Sequence, residues 1–582
     1  MGSGGARRDW EQRIGRRSDA STIEVEAPPP PARVEAEPGA GQVTLRWEPV
    51  ENAIGYVVHR AAAPDGPWQP IDHGGRDVIA GPGPWYCDTT GERAVPAWYA
   101  VASIAAVEHD PGELSQPVQA TPLGHAAGPV VARVTPEDAG RIEPVWHMLG
   151  SEHLSQLLYP DVGRDFEQAL RLARAELGAE TVRAHAILHD ENGVVRGDGS
   201  FDFTRVLEIY ERVLGLGLRP IVELGFMPAA LARDRDQTVF EYRGIISPPQ
   251  DWDRWGELCG ALARACVERF GIDEVARWGF EVWNEANLEV FWAGTKEEYL
   301  RLYDVAARAV KAVDERLRVG GPATAAAGWV ADFLDFVREE DSPFDFFSTH
   351  TYGNLPLDVR RALEARGMSG EVWWTEWGAT PTHFFQASDA VWGAPYVLHG
   401  MKSVQGRADA LAYWVVSDHF EELGRPPRFL HGGFGLLTVG NIRKPRFWAL
   451  RLAEQLGRDL VRLDLSGDGA GSLVDGWATR GDDGTLQVLL WNATLDQSKV
   501  AGDALLDRRI RLEVDGGPYR ATVARIDRDH ASVADRYRGG DWPTEEEWAE
   551  LREADRLVEE RLDELELDLP MPGVARVRLA RV

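Results

Sequence analysis

Between residues 135 and 457 the chain alternates short apolar runs with amphipathic helical stretches, and this alternation constrains the fold more than any other feature. The apolar runs predict strands at Thr181–Leu188, Arg219–Gly225, Arg277–Trp283, Arg318–Gly321, Phe344–His350, Glu371–Trp377 and Ala410–Ser417, preceded by a less regular run at Pro144–Gly150. Helical periodicity lies between them, at Phe166–Leu177, Thr204–Leu216, Trp252–Phe270, Lys296–Arg316, Trp329–Glu339, Asp389–Gly406 and Arg446–Gln455. Repeated strand–helix units over this length predict a (β/α)8 TIM barrel.

A doubly wound parallel sheet is the alternative fold for such a pattern. That fold is usually accompanied by a glycine-rich nucleotide loop after an early strand. The sequence has no Gly-x-Gly-x-x-Gly loop in that position and no Walker A motif. Both absences favour the barrel.

The predicted barrel is flanked by segments of different character. Residues 1–31 are polar and end in a proline run, which predicts a disordered tail and a stiff linker. Residues 32–122 contain short alternating strands separated by Gly/Pro turns, which is typical of a small β-sandwich. The segments Leu45–Trp47 and Trp98–Val101, together with Tyr56, resemble the core Trp and Tyr positions of a fibronectin type III domain.

The C-terminal part, 458–582, returns to alternating strands and predicts a second β-sandwich. A charged helix is predicted to interrupt it near 544–566. Its start is marked by Thr544 and Glu547, which have the spacing of a capping box.

Net charge and cysteine content exclude several classes of protein. The chain has 63 Lys and Arg against 93 Asp and Glu, a formal charge of −30, which argues against nucleic-acid and anionic-membrane partners. Three cysteines are too few for a disulfide framework or a cysteine-rich zinc module. No zinc-protease or calcium-loop pattern appears, so we expect no metal and no cofactor. No secretory signal or membrane span is recognisable in the sequence, and we expect a cytoplasmic protein.

Two glutamates close predicted barrel strands in aromatic surroundings. Glu285 lies in Trp-Gly-Phe-Glu-Val-Trp-Asn-Glu-Ala-Asn at 278–287, and Glu376 lies in Val-Trp-Trp-Thr-Glu-Trp-Gly at 372–378. Burying a carboxylate is costly and needs a reason. A salt bridge would explain either one alone, but TIM-barrel active sites lie at these strand ends, and glycosidic cleavage requires two carboxyl groups. The 22 tryptophans fit sugar binding as well as a large core.

The motif Trp-Asn-Glu-x-Asn followed by Phe291 and Trp292, and the later motif Trp-Thr-Glu-Trp-Gly, resemble glycoside hydrolase family 39. The likeness covers roughly 140–570, and Ala286 stands where the family has Pro. The family includes β-xylosidases and α-L-iduronidases and acts with retention. The resemblance implies that Glu285 is the general acid/base and Glu376 the nucleophile.

Further residues acquire roles from the same resemblance. Tyr352 would hold the nucleophile and keep its pKa low, and Asn284 would bind the sugar 2-hydroxyl. The remaining substrate-binding candidates, each on a matching strand-end motif, are His185, Phe226, His350, Trp414, Glu421 and Glu422. The two catalytic carboxyl groups should lie about 5–5.5 Å apart, as in retaining enzymes.

The sequence therefore predicts a retaining exo-glycosidase acting on a small oligosaccharide or glycoside, first of all a β-D-xylosidase. Another pentopyranosidase, a galactosidase-type enzyme and an α-L-iduronidase-like enzyme stay open, although no basic clamp for a uronate is evident. A non-catalytic carbohydrate-binding protein is the alternative of another class, and a homo-oligomer is compatible with the sequence.

Overall fold

The computed structural model describes residues 3–16, 21, 23–126, 128–481 and 483–582. Its centre is a closed barrel of eight parallel strands, in which each strand pairs with the next along the chain and the last pairs with the first. In chain order these barrel strands are Met148–His153, Thr181–His185, Arg219–Leu224, Gly279–Val282, Arg318–Thr324, Phe346–Tyr352, Glu371–Gly378 and Ala410–Tyr413. The predicted barrel is confirmed.

Helices surround the barrel. Because parallel strands buried on both faces need a helical cover, each predicted helix carries an apolar stripe toward the strands. The helices of this layer are Gly163–Leu177, Thr204–Gly215, Trp252–Phe270, Ile272–Val275, Lys296–Lys311, Val330–Glu339, Arg360–Glu364, Gly393–Ser403 and Pro445–Glu454. Sequence periodicity missed the helix after the sixth strand, Arg360–Glu364, because it spans little more than one turn.

Residues 35–120 form two small antiparallel sheets. One contains Glu35–Gly39, Gln42–Arg46 and Trp85–Asp88, and the other contains Gly55–Ala61, Gln69–Pro70, Ala97–Ile104 and Val118–Ala120. Apolar side chains of both sheets meet in one buried cluster, to which Leu45, Trp47, Tyr56, Val58 and Tyr99 belong. The alternating patterns of this region therefore form strands with a common core.

The C-terminal strands form one continuous mixed sheet of nine strands. Its order is Glu559–Leu562, Tyr519–Ile526, Gly573–Arg581, Leu486–Asn492, Val474–Arg480, Asp459–Ser466, Val130–Arg141, Arg508–Val514 and Glu566–Leu569. The strand Val130–Arg141 precedes the barrel in sequence but pairs here with Asp459–Ser466 and Arg508–Val514. The range 135–457 predicted for the barrel thus begins inside a strand of this sheet, and the predicted two-sheet arrangement of 458–582 is not confirmed.

One of the central strands of the nine-stranded sheet is buried on both faces, and its successive side chains alternate between them. In the strand Leu486–Asn492, Val488 and Leu490 join an apolar cluster of the sheet itself. The intervening Leu489 and Trp491 belong to the large core shared with the barrel. One set of alternate side chains therefore packs the sheet against the barrel, and the other set packs within the sheet's own core.

Two predictions at the chain ends differ from the structure. The helix predicted at 544–566 is Glu545–Ala554, because Glu559–Leu562 pairs as a strand with Tyr519–Ile526. The predicted disordered tail 1–31 contains a helix, Ser3–Ile14, whose Trp10 is buried against the barrel. The rest of that prediction falls partly on residues 1, 2, 17–20 and 22, outside the described residues. Within the part of the chain that the structure describes, every helix is too short or too polar to cross a bilayer.

Candidate active site

The two candidate catalytic glutamates meet at the carboxyl-terminal end of the barrel. Glu285 follows the fourth barrel strand, and Glu376 lies near the end of the seventh. Both line one cavity, and both are nearly fully buried. One carboxylate oxygen of each lies within 4.8 Å of the other, and a ring nitrogen of His350 lies within the same distance of both. This spacing is close to that of retaining glycosidases and shorter than the about 6.5–9.5 Å of inverting pairs.

The carboxylate of Glu376 is held by donors on two sides. The Tyr352 hydroxyl donates to Oε2 over 2.6 Å, and the Arg183 guanidinium donates to Oε1. Nε2 of His185 lies 3.7 Å from Oε1. Burial nevertheless raises the pKa of Glu376, against the lowering effect of Arg183, His185 and Tyr352. The expectation of a low pKa is therefore wrong, because desolvation outweighs the effect of the donors.

Arg183, inside the second barrel strand, connects the acids of the site. Its Nε donates to Oε2 of Glu281 over 2.8 Å, and its Nη2 lies 2.8 Å both from Oδ1 of Asn284 and from Oε2 of Glu223. Burial alone would lower the pKa of Arg183, but Glu281, Glu223 and Glu376 together raise it. Sequence reasoning gave Arg183 no role, although an arginine inside an apolar strand signals a buried partner.

His350 contacts the acid/base rather than the cavity. Its Nδ1 lies 2.9 Å from Oε1 of Glu285, its Nε2 lies 3.1 Å from Oγ1 of Thr375, and the side chain is fully buried. Burial holds the pKa of His350 well below its usual value, so the ring is neutral and carries one proton. His350 therefore positions Glu285 and does not line the cavity, unlike the predicted sugar ligand.

The hydroxyl of Thr375 decides which ring nitrogen of His350 carries the proton. Thr375 donates its only proton to Oε1 of Glu281 over 2.8 Å, and Glu281 is paired with Arg183. Nε2 of His350 must then be the donor to Thr375, which leaves Nδ1 as an acceptor. An acceptor at Nδ1 favours the protonated form of Glu285, the form that a general acid needs.

Three further predicted ligands lie close together on the cavity wall. His185 packs against Trp414 with ring centroids 4.7 Å apart, and Nδ1 of His185 lies 2.7 Å from Glu223. Oε1 of Glu422 lies 3.7 Å from Nε2 of His185, and Oε2 of Glu422 lies 3.1 Å from Nε2 of His383. Burial, together with the neighbouring acids, raises the pKa of Glu422 well above its usual value. The shift favours the neutral form of the carboxyl group that Glu422 presents to the cavity.

Besides His350, two predicted ligands do not reach the cavity. Phe226 lies behind its wall, packed near His185 and Phe240 with ring centroids 6.2 and 6.0 Å apart. Glu421 points away from it and pairs with Arg425 at 3.2 Å and His153 at 3.5 Å. Adjacent residues of an extended segment point to opposite sides, so Glu422 and Glu421 cannot both face the substrate.

The structure adds lining residues that sequence reasoning missed. Asp77, from the N-terminal β-region, accepts hydrogen bonds from Thr351 Oγ1 at 2.7 Å and from the backbone N–H of Tyr352 at 2.9 Å. Trp10 and Ile14, from the N-terminal helix, line the same cavity. No local sequence pattern predicts these contacts, because they join parts of the chain that are hundreds of residues apart.

Glu285, His350 and Glu376 also form a group close enough to offer donor atoms to a metal ion. Arg183 donates to Glu376, and a guanidinium charge beside a carboxylate opposes the approach of a second cation. The neutral His350 already uses both ring nitrogens. This donor set is therefore better suited to proton transfer than to metal binding.

Comparison with known proteins places these features in a family. The family model described as "Glycosyl hydrolases family 39" matches residues 131–357 and 353–563. A β-xylosidase of Caldicellulosiruptor saccharolyticus is 37% identical over 356 residues, which are 56% of this chain and 71% of that protein. A β-xylosidase of Geobacillus stearothermophilus is 34% identical over 372 residues, 58% of this chain and 72% of that protein.

Among solved structures, a family 39 β-xylosidase from Caulobacter crescentus superposes with a TM-score of 0.67 at 31% identity. The superposition covers 77% of this chain and 99% of that protein. The matched family region leaves out the first 130 residues, from which Trp10, Ile14 and Asp77 enter the site.

Proposed function

The chain belongs to glycosyl hydrolase family 39, and we propose that it removes terminal β-D-xylosyl residues from short oligosaccharides or glycosides. It is a retaining glycoside hydrolase. The observation that carries the proposal is the approach of the Glu285 and Glu376 oxygens to within 4.8 Å in one buried cavity. Such a gap leaves room for an anomeric carbon and none for an intervening water.

Hydrolysis proceeds in two displacements. In the first, a carboxylate oxygen of Glu376 attacks the anomeric carbon while Glu285 gives its proton to the departing glycosidic oxygen. The bond between the anomeric carbon and the leaving oxygen breaks, and a covalent glycosyl-enzyme forms. In the second, Glu285 removes a proton from water, the water oxygen attacks the anomeric carbon, and Glu376 departs as a carboxylate.

Several contacts support these roles. Tyr352 and Arg183 orient Glu376 and stabilise its negative charge when it leaves. Since Arg183 occupies Oδ1 of Asn284, the amide nitrogen of Asn284 is the group that can donate to a sugar hydroxyl. His185, Trp414 and Glu422 lie together on the cavity wall, where they can contact the terminal sugar.

A neutral pentose fits this cavity better than a uronate. The described lining contains Asp77, Glu285, Glu376 and Glu422 but neither Lys nor Arg. A substrate carboxylate would meet several acidic groups without a cationic partner, which costs binding energy. The lining therefore disfavours an α-L-iduronidase-like activity, and the similarity to two β-xylosidases favours xylose among neutral sugars.

We further propose that residues 32–122 are a fibronectin type III-like sandwich. The two sheets with a shared core support this reading, and Asp77 gives the domain a structural link to the barrel. Here the domain is therefore more than a spacer.

The experiment that tests the activity is hydrolysis of a panel of nitrophenyl glycosides, with the β-xyloside, α-arabinopyranoside, β-galactoside, β-glucoside and α-iduronide compared. We expect the highest kcat/KM with the β-xyloside. Proton NMR of the first product should show the β-anomer. Absence of hydrolysis across the panel, with sugar binding retained, would favour a non-catalytic carbohydrate-binding protein, and a first product of α configuration would contradict the retaining mechanism.

A further inference from the structure

The N-terminal helix, Ser3–Ile14, reaches the catalytic cavity from outside the family-matched region. Trp10 and Ile14 of this helix line the cavity together with Glu285 and Glu376. The remaining apolar lining includes Leu288 and Phe291 from the loop that follows the fourth barrel strand. A segment distant in sequence thus contributes a wall to the reaction site.

The Trp10 ring is fixed by loops that follow three different barrel strands. Its centroid lies 5.6 Å from that of Phe240, 6.0 Å from that of Phe291 and 5.9 Å from that of His383. Its Nε1 donates to the backbone oxygen of Pro381 over 3.0 Å, and only 4% of the side chain is exposed. An indole with its polar atom satisfied and its edges packed offers a preorganised surface.

The chain around Trp10 crosses the mouth of the barrel. The Arg7 guanidinium lies 4.9 Å from the ring centroid of Phe385, beyond the seventh strand. The backbone N–H of Glu289, beyond the fourth strand, donates to the Arg16 oxygen over 3.2 Å. These contacts hold the helix between the loops that follow the two catalytic strands.

We propose that Trp10 is a specificity-determining residue that forms part of the cavity wall and restricts hydrolysis to short glycosides. The helix that carries it lies between the loops that follow the two catalytic strands, where it occupies space that a long leaving group would need. Indole faces bind the C–H faces of pyranose rings, so Trp10 contacts a sugar bound in the cavity. The helix behind it obstructs a longer chain. This inference rests on the proposed exo-glycosidase activity.

The test compares xylobiose with xylotetraose as substrates of the full-length enzyme. We expect Trp10→Ala to raise KM for xylobiose by roughly 5–20-fold with a smaller change in kcat, because one aromatic contact is lost. The ratio of kcat/KM for xylobiose to that for xylotetraose should fall at least about 5-fold. Trp10→Phe, which keeps an aromatic wall, should keep most of the ratio. Trp542→Ala, which removes an exposed indole of the C-terminal region, should change neither constant.

Calorimetric titration separates a failure of this inference from a failure of the proposed activity. Binding of both oligosaccharides is measured with Glu376→Ala and with Glu376→Ala/Trp10→Ala, neither of which turns substrate over. A preference for xylobiose that Trp10→Ala abolishes supports the inference, whether or not the native enzyme proves to be a xylosidase. An unchanged ratio in both assays, with circular dichroism showing a native fold, would overturn it. Failure of both sugars to bind Glu376→Ala would overturn the proposed substrate and this inference together.

Discussion

The Tyr352 hydroxyl donates a hydrogen bond of 2.6 Å to Oε2 of Glu376. Because burial and the nearby negative charges raise the pKa of Tyr352 well above its usual value, the phenol stays protonated and remains a donor across the working pH range. A donor to a carboxylate stabilises its charged form, which is also the form that attacks and later departs. Tyr352 is therefore coupled to both displacement steps.

Tyr352→Phe should lower kcat/KM by about 10–100-fold, the equivalent of losing a hydrogen bond to a charged group. It should also move the acidic limb of the pH profile to higher pH. The Tyr352 hydroxyl lowers the pKa of Glu376, so removing the hydroxyl lets that pKa rise. A higher pH is then needed to ionise Glu376, which is why the acidic limb moves up. Tyr537→Phe, at a position outside the cavity, is the control. An unchanged acidic limb in Tyr352→Phe would argue against the coupling.

The assignments of the two glutamates can be separated by chemical rescue. Glu376→Ala should reduce turnover by roughly 10⁴-fold or more, since no nucleophile remains to form the glycosyl-enzyme. Added azide should then attack the substrate directly and yield the glycosyl azide of inverted configuration.

Glu285→Ala should instead form the glycosyl-enzyme from substrates with good leaving groups and then stall, because general base catalysis of the second step is lost. Its loss should be about 10²–10⁴-fold for poor leaving groups and smaller for nitrophenyl glycosides. Azide should rescue it with retention. NMR of the azide products measures the outcome, and the opposite stereochemical pattern would exchange the two roles.

A chain of hydrogen bonds, here called the relay, runs from Glu285 through His350 and Thr375 to Glu281 and leads to a separate prediction. Thr375→Val removes the hydroxyl that fixes the proton on Nε2 of His350, so Nδ1 is no longer held as an acceptor for the Glu285 proton. The protonated form of Glu285 loses stabilisation, its pKa falls, and the alkaline limb of kcat/KM should move to lower pH.

Thr375→Ser keeps the hydroxyl and is the matched control for Thr375→Val, with an alkaline limb expected at its native position. Thermal unfolding of both variants checks the fold, because the valine leaves a buried ring nitrogen without its partner, at a cost of about 1–3 kcal/mol. An alkaline limb that moves equally in both variants would show that the Thr375 hydroxyl does not control the protonation of Glu285.

The barrel and its catalytic pair could be predicted from sequence because both depend on local patterns. Apolar runs and helical periodicity define each strand–helix unit, and the carboxyl ends of parallel strands meet at one edge, which brings Glu285 and Glu376 together. Local periodicity and strand topology therefore carried this part of the prediction. The roles of His185 and Trp414, in contrast, were implied by the resemblance of their motifs to glycoside hydrolase family 39.

Contacts between distant segments could not be predicted in this way. The helix Ser3–Ile14 has no apolar stripe from which burial could be predicted. Trp10 is buried because it packs against loops at the carboxyl-terminal end of the barrel. Asp77 looks like an exposed loop acid until it is seen to bind the Tyr352 backbone. The strand Val130–Arg141 was not recognised because its partners lie more than three hundred residues later.

The neighbouring residues Glu421 and Glu422 provide the last prediction, since one lines the cavity and the other does not. Burial raises the pKa of Glu422 well above its usual value, which favours a neutral carboxyl group that can donate to a sugar hydroxyl as well as accept. An amide of the same shape should substitute for it. We therefore expect Glu422→Gln to retain kcat/KM within about 3-fold, whereas Glu422→Ala, which removes the contact and leaves a void, should lose about 10–100-fold.

Glu421→Ala is the matched control and should stay within about 2-fold of the native enzyme, because the Glu421 side chain lies outside the cavity and contacts Arg425 and His153 instead. The pH dependence gives a second readout. As pH rises through the raised pKa of Glu422, ionisation places a new negative charge beside Glu376 and weakens binding. The alkaline limb of kcat/KM should therefore be less steep in Glu422→Gln than in the native enzyme, with the ionisation of Glu285 still present in both. A loss in Glu422→Gln as large as that in Glu422→Ala would show instead that the ionised carboxylate is the form that binds the sugar.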